Sequence, residues 1–395
     1  MILGASILQL PAIQKAKEMG LQIVAVDMNP DAIGFGEDGV IKEVISTIDI
    51  PAVVDCAKKH KVDGVMTLAS DMPMRTVAAV SKELGLVGIS EETALKATNK
   101  ACMREALRQG GVPIPEFYKV STREEYNSAV LKFNVPFIVK PADNSGSRGI
   151  VKIEDLTDEQ SIFEAYDYSK ASSRNGDVVV EEYMNGPEVS VETLTVNGKC
   201  HVIQITDKIT TGAPHFVEMG HTQPSQLESD TKRRISEIAK LANKAVGISN
   251  GPSHTEIIVT QDGPKIVELG ARLGGDCITT HLVPLSTGVD MVESCIKIAL
   301  GEEPDIAIKF SKGSAIRYLT CDTGRIESIT GIDEARLLEG IRQVSIVHDV
   351  GDVASEIKSS SDRVGFVVAQ GDTPMDAVTE CSVAIGMIDI LTKGD

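Results

Sequence analysis

The chain reads as an α/β unit followed by two α+β units, on three observations. Over residues 1–92, short β-rich runs alternate with helical patterns, which is the rhythm of βαβ units and a parallel sheet. Over 93–305, strands come in turn-linked antiparallel pairs mixed with helices. Over 306–395 that mixed style repeats. A length of 395 residues exceeds what one hydrophobic core supports, so two or three domains are expected on size alone.

Taken in order, Ile2-Leu3 leads into Gly4 and a helix with Pro11 in its first turn and Gly20 at its end. With only Met1 to Leu3 before the glycine turn, this first strand is expected to begin upstream of Met1. Ile23–Val26 is a strand ending at Asp27, and Ile50–Lys59 is a helix with Asp49 as N-cap and Pro51 in its first turn. Val62–Thr67 reads as the next strand, followed by a helix that stops at Gly85. A helix through Lys100–Gln109 ends at Gly110-Gly111, and the prolines of Val112–Pro115 force an extended segment. Ser121-x-x-Glu124 and Thr157-x-x-Gln160 have the form of capping boxes opening helices. Pro136–Pro141 and Asp177–Tyr183 are strands; Val189–Val196 and Cys200–Thr206 form a hairpin through Asn197-Gly198. A helix over Thr231–Val246 precedes a second hairpin, Ser253–Thr260 with Lys265–Leu269. Strands near Ala315–Leu319 and Val364–Val368, and a hairpin across Gly324, complete the reading.

Composition excludes several classes. There are 57 Asp+Glu against 39 Lys+Arg, a net charge of −18. A nucleic-acid binder needs a basic face, so this balance argues against one, but a small phosphorylated ligand responds only to local charge. No apolar stretch approaches the roughly 18 residues of a membrane span, and nothing at the start resembles a signal peptide. Cys56, Cys102, Cys200, Cys277, Cys295, Cys321 and Cys381 are odd in number, widely spaced and without C-x-x-C. Reduced thiols in a cytoplasmic protein are therefore expected.

The glycine turn Gly4-Ala5-Ser6 has Ser6 and Gln9 where a dinucleotide fingerprint has its second and third glycines. A Rossmann-like sheet that does not bind a dinucleotide is expected, with Asp27 the single matching feature. No P-loop pattern occurs. The loop Asp143–Gly149 (Asp143-Asn144-Ser145-Gly146-Ser147-Arg148-Gly149) can turn backbone N–H groups and hydroxyls toward phosphate oxygens, with Lys140 beside it. It also reads as a plain hairpin connection with a solvated Arg148.

The second hairpin carries the sharpest argument. A two-residue Asp262-Gly263 loop would set Glu256 opposite Leu269. A three-residue loop with Gly263 left-handed pairs Ile257 with Val267 and Thr255 with Leu269, making one face apolar. The other face then carries His254, Glu256, Glu268 and Arg272. Glu256 faces Glu268 directly, with Cβ atoms about 5 Å apart. Two such carboxylates repel unless a cation or proton sits between them, and magnesium suits hard oxygen ligands. A solvated hairpin with hydrated glutamates is the other reading.

In sequence order, these pieces resemble the ATP-grasp superfamily of carboxylate–amine ligases, in its amino-acid-ligase and phosphoribosylglycinamide-synthetase-like branch. Thr98-Asn99-Lys100-Ala101-Cys102-Met103-Arg104 followed by Gly111-Val112-Pro113-Ile114-Pro115 resembles the segment bearing the first nucleotide lysine. Phe137–Pro141 resembles the second lysine strand, and Ser145–Gly149 the loop over the phosphates. Glu181-Glu182-Tyr183-Met184-Asn185-Gly186-Pro187-Glu188 is similar to the inter-lobe segment.

The resemblance implies ATP and Mg2+ as cofactors. ATP would be held by Lys100, Lys140, Ser145, Gly146, Ser147, Arg148, Gly149, Glu181, Glu182, Tyr183, Met184 and Glu188, and the metal by Glu256 and Glu268. It makes Arg272 the catalytic residue stabilising charge near the transferred phosphoryl group, with a structural ion pair as its other reading. Residues 1–92 would be the pre-ATP-grasp domain, 93–305 the ATP-grasp domain with a lid over about 116–181, and 306–395 a C-terminal α+β domain. Lys208–Leu227, with His215, Glu218, His221 and Ser225, resembles a substrate-side loop or is an ordinary polar loop. His221 and Arg317 are the substrate candidates. One departure stands out: the family's Glu-x-Asn becomes Glu268-Leu269-Gly270, so water or a backbone carbonyl would replace the Asn ligand.

The activity implied is ATP-dependent activation of a carboxylate as an acylphosphate, then capture by an amine, with amino-acid or dipeptide-type ligation first. A purine-pathway ligase or a carboxylase-type enzyme comes next. From other classes, a nucleotide-binding regulatory module with degraded catalysis rests on Gly270, and a Rossmann oxidoreductase on Gly4 and Asp27. The partners implied are a small-molecule carboxylate and amine, without nucleic acid or membrane, and a homodimer as the common assembly.

Overall fold

A computed structural model describes residues 1–144 and 148–394. The first unit is a three-stranded parallel sheet of Ile2–Leu3, Ile23–Asp27 and Val40–Val44, with Ile2 facing Ala25 and Val24 facing Ile41. Its helices follow the sequence signals closely. Asp49 caps the helix Ile50–His60 by accepting from the Ala52 N–H at 3.2 Å, and the helix Met74–Leu84 ends at left-handed Gly85. The glycine turn is filled from within: Gln9 donates to the Leu68 carbonyl at 2.7 Å and accepts from Ser6 Oγ, while Asp27 accepts from the Ala5 N–H.

Two details differ from the sequence reading. Val40–Val44 is an edge strand whose half-exposed, charged pattern hid it. Val62–Thr67 contributes a single parallel bridge from Met66 to Ile2, because the first strand is only two residues long and offers no longer ladder.

The second unit holds a four-stranded antiparallel sheet in the order Phe117–Val120, Val178–Glu182, Phe137–Pro141, Val151–Ile153. The helices Arg123–Val130 and Glu159–Ser172 cover it, burying Tyr126, Phe137 and Tyr166. Of the two expected capping boxes, the first moves by one residue and the second is replaced by a simple N-cap one residue on. The Ser121 hydroxyl is spent on Asp177, so Thr122 caps, and Glu125 returns to the Ser121 and Thr122 N–H groups. Likewise the Thr157 hydroxyl donates to Asp155, leaving Asp158 to cap by accepting from the Ser161 N–H.

An eight-stranded sheet runs through the rest of the molecule. Its order is Gly263–Gly270, Gly251–Thr260, Glu188–Val196, Lys199–Thr210, Glu218–Gln223, Gly313–Tyr318, Gly365–Gly371, Ile341–Ile346. Asn197 and Gly198 are both left-handed, as the tight turn between the third and fourth of these strands requires. The expected loop Lys208–Leu227 is in part sheet, since Lys208–Thr210 ends one strand and Glu218–Gln223 pairs with that strand and with Gly313–Tyr318. The expected hairpin across Gly324 does not form. Gly324–Thr330 pairs with Val353–Ala354 and Asp389–Lys393, and a Cβ on Gly324 would meet the Lys393 carbonyl at 2.4 Å. No helix among the described residues is long and apolar enough to cross a membrane.

The hairpin Gly251–Gly270 reaches its expected pairing by another route. Thr260 faces Gly263 around a two-residue Gln261-Asp262 turn, and a β-bulge then skips Val267, so Ile257 faces Ile266. Beyond the bulge Thr255 faces Leu269 and Glu256 faces Glu268, as expected. The skipped Val267 gives its carbonyl to Arg104 at 2.7 Å, a buried partner that the hairpin alone could not reveal.

Candidate active site

Glu256 and Glu268 are directly opposed on neighbouring antiparallel strands, which puts both side chains on one face. That face looks into a cavity of about 500 Å³. His254 and Arg272, the other residues assigned to this face from the sequence, line it as well.

Each carboxylate meets a lysine from a different element. Lys100 opens the helix Lys100–Gln109, whose N-cap is Asn99. The Lys100 N–H donates to the Ala142 carbonyl at 2.7 Å, tying the helix to the end of the strand Phe137–Pro141. Its Nζ then reaches Glu268 at 2.8 Å and the Asn144 carbonyl at 2.6 Å. Lys208 projects from the strand Lys199–Thr210 and lies 2.8 Å from Glu256, 2.5 Å from Glu188 and 3.7 Å from Glu218. Its ammonium is almost wholly buried; burial alone would lower its pKa, but Glu256 and Glu188 hold it well above the usual lysine value. Burial raises the Glu188 carboxyl, whereas Lys208 and His254 hold Glu256 well below the ordinary carboxylate range despite burial.

Lys140 also lines the cavity, from the second lysine strand. Its Nζ is 2.6 Å from Glu181, which in turn receives Arg104 at 2.6 and 3.0 Å. Burial opposes ionisation of Glu181, yet Arg104 and Lys140 bring it down to about 2. The Glu181 carboxylate is thus occupied in orienting Lys140, while Glu182, Tyr183, Met184 and Glu188 continue the cavity wall.

Arg272 forms a bidentate pair with Asp71, at 2.9 and 3.1 Å, and donates to the Leu273 carbonyl. His254 is held by the buried Glu192 at 2.7 Å; burial would lower its pKa, but Glu192 raises it to about 9, so it is an imidazolium at neutral pH. On the far wall His221 lies 3.6 Å from Asp276, and Arg363 grips Asp276 at 2.9 and 3.0 Å. Burial disfavours the Asp276 anion, but His221 and Arg363 keep it far below the usual range.

Of the residues singled out from the sequence, Lys100, Lys140, Arg148, Glu181, Glu182, Tyr183, Met184, Glu188, His221, Glu256, Glu268 and Arg272 line this one cavity. Gly149 lies aside from it, left-handed and close against Ser172. Ser145, Gly146 and Ser147 fall outside the described residues. Arg317 is placed elsewhere: its guanidinium is spent on the His221 carbonyl, the Ile316 carbonyl and Thr222 Oγ1, bracing adjacent strands.

The sequence reading missed Asp71, Arg104, Lys208, Asp276 and Arg363. Lys208 left little signal, because its strand is mostly polar in sequence, with Lys199, His201, Gln204, Thr206, Asp207 and Thr210 around it.

Glu256 and Glu268 fit a hard divalent cation by their donor chemistry, since they offer only carboxylate oxygens and share one face of the cavity. Lys100 and Lys208 now balance their charge.

Comparison with known proteins gives the family of the chain. The ATP-grasp domain family matches residues 133–280, and L-amino acid ligase C-terminal domain 2 matches residues 317–393. An L-arginine-specific L-amino acid ligase from Bacillus subtilis is 30% identical over 283 residues, covering 70% of this chain and 68% of the relative. Among solved structures, an L-amino acid ligase from Bacillus licheniformis superposes with a TM-score of 0.84 at 24% identity, covering 100% of this chain and 98% of that one. Phosphoribosylglycinamide synthetase from Anaerococcus prevotii gives 0.80 at 23% identity, covering 99% and 98%. ATP-grasp proteins use ATP with magnesium. On sequence and fold together, the chain belongs to the L-amino acid ligase family of ATP-grasp carboxylate–amine ligases.

Proposed function

We propose that this chain joins an amino-acid carboxylate to an amine with ATP hydrolysed to ADP and phosphate, making a dipeptide-type amide. The observation that carries this reading is the convergence of Glu256, Glu268, Lys100, Lys140 and Arg272 on one cavity. The likeness to a relative named as an L-amino acid ligase supports the amino-acid class of carboxylate.

In this reading Lys100 and Lys140 bind phosphate oxygens, and the segment Glu182–Met184 with Glu188 holds the nucleoside. Bound magnesium on Glu256 and Glu268 would neutralise the phosphates during transfer. A substrate carboxylate oxygen attacks the γ-phosphorus as the bond to ADP breaks. The amine nitrogen then adds to the acyl carbon, and phosphate leaves with the bonding pair, giving amide, phosphate and one proton. Arg272 faces the oxyanion formed in that second step, where a fixed donor stabilises developing charge. The segment of about 116–181 serves as a lid that keeps water from the acylphosphate. Residues 1–92, 93–305 and 306–395 act as pre-grasp, grasp and C-terminal domains. All seven cysteines are free thiols, which supports a reducing, cytoplasmic setting.

The test incubates the protein with ATP, magnesium and pools of amino acids, and measures ADP, phosphate and new amide. Release of AMP and pyrophosphate, or no turnover with any pool despite ATP binding, would overturn the proposal. Glu268→Gln is expected to abolish turnover while circular dichroism stays native; unchanged turnover would remove the metal role.

A further inference from the structure

Gly270 stands where the family pattern places a side chain, and the structure shows what fills the space. A Cβ on Gly270 would lie 2.8 Å from Asp71 Oδ1 and 3.2 Å from Arg272 Nε. An ion pair already holds that volume. Its acid arrives from a distant part of the chain, the turn that precedes the helix Met74–Leu84, entered through Ala69 in a left-handed conformation.

The pairing is bidentate and largely shielded, with side-chain exposures of 16% for Arg272 and 17% for Asp71. Two parallel N–H···O bonds fix the guanidinium plane as well as its position. Three of Arg272's donors are used, on Asp71 and the Leu273 carbonyl. A guanidinium carries five, so two remain for an oxyanion in the cavity. Asp71 itself has both oxygens on Arg272.

We propose that Asp71 is a positioning residue for the ligation reaction, occupying the space vacated at Gly270 and aiming Arg272 at the reacting centre. This rests on the catalytic reading of Arg272 given above. The absent side chain at 270 is thereby a requirement of the site and no sign of decay: a larger residue there would displace the acid that orients the arginine. It also makes the reaction depend on the seating of the N-terminal unit, because Asp71 comes from that unit and Arg272 from the segment just past the eight-stranded sheet's edge strand Gly263–Gly270.

The experiment compares Asp71→Asn, Arg272→Ala and the double variant in ATP- and magnesium-dependent amide formation, with calorimetric binding of a non-hydrolysable ATP analogue to each. Asp71→Asn is expected to lower kcat about 10–100-fold, the range over which orienting partners act, with analogue affinity unchanged. Arg272→Ala should lose more, and the double variant should be no worse than Arg272→Ala, because an effect transmitted wholly through one residue vanishes with it. Losses that multiply in the double variant would overturn the proposal, as would wild-type turnover in Asp71→Asn beside an inactive Arg272→Ala. Full turnover in Arg272→Ala would instead remove the catalytic reading of Arg272, and this inference with it. Gly270→Ala keeps both charges and tests the same contact without deleting one. It should lower kcat in the parent and add nothing in an Asp71→Ala background; an equal loss in both backgrounds overturns the inference.

Discussion

Two buried charge clusters flank the cavity, and their balances are opposite. On the lid side a single acid, Glu181, meets two bases, Arg104 and Lys140, at 2.6 Å each. On the sheet side one lysine, Lys208, serves three acids: Glu188 at 2.5 Å, Glu256 at 2.8 Å and Glu218 at 3.7 Å. In the first cluster the acid, brought down to about 2 by Arg104 and Lys140 against its burial, stays ionised at almost any pH. In the second, burial with Glu256 alongside pushes Glu188 up, while Lys208 and His254 hold Glu256 down despite burial. The lid-side cluster is therefore a finished piece of scaffold that presents Lys140. The sheet-side cluster is short of a cation, and a metal or a substrate ammonium would find its place there.

The largest effect should come from breaking the finished cluster. Glu181→Gln leaves Arg104 and Lys140 facing each other without their shared anion. Removing one partner of a buried pair typically costs about 3–5 kcal/mol. Denaturant unfolding should show a loss of that size, and neither added magnesium nor a change of pH between 5 and 8 should restore it. A variant with near-native stability would mean that the cluster is less closed than its distances indicate.

The two clusters also differ in how far the sequence revealed them. Alternation and face matching located the Glu256–Glu268 pair, because one apolar face admits few registers. The bulge that delivers this pairing was not legible, since the Val267 carbonyl turns toward Arg104, a residue 163 positions away. Lys140 was visible as a lysine ending a β-run, but Glu181 read as part of the nucleotide wall and only the fold shows it beneath Lys140. Lys208 was hidden inside a segment taken for a loop, whose second half becomes a strand through pairing with Lys199–Thr210 and Gly313–Tyr318. Asp71 is 201 residues from Arg272 and carries no local signal at all. Local chemistry, in short reach, was readable; partners brought together by docking of separate units were not.

A smaller effect is expected from Lys208→Met, which attacks the cluster that lacks cations. Lost hydrogen bonds to charged groups are worth about 1.5–3 kcal/mol each, but here the orphaned acids can take up protons or metal in the ammonium's place. Stability should fall at pH 8 and recover in part at pH 5 or with millimolar magnesium (on the order of 1–10 mM, the range in which weak carboxylate sites fill). The contrast with Glu181→Gln is the point of the experiment, because the same kind of deletion should be rescued on one side of the cavity and fixed on the other. If magnesium protects neither variant, the sheet-side acids do not form a cation site in the free protein.

The smallest expected effect concerns the imidazolium that partly offsets the sheet-side deficit. His254 lies 2.7 Å from Glu192 and 3.5 Å from Glu256, with the Arg272 cation opposing its charge. Burial alone would lower its pKa, yet Glu192 raises it from 6.5 to about 9. A group whose folded pKa lies above its unfolded value stabilises the fold fully below the unfolded pKa and loses that contribution as pH rises through the folded one. The contribution of His254 is thus complete below pH 6.5 and lost by about pH 9. The slope between them cannot exceed about 1.4 kcal/mol per pH unit for one proton. Unfolding free energies measured from pH 6 to 9 should decline along this window, and His254→Gln should flatten the decline while leaving the Glu181 cluster's pH-independence intact. A parent protein with no decline over that range would place a neutral imidazole against Glu192, and the sheet-side cluster would then be more acidic than its geometry implies.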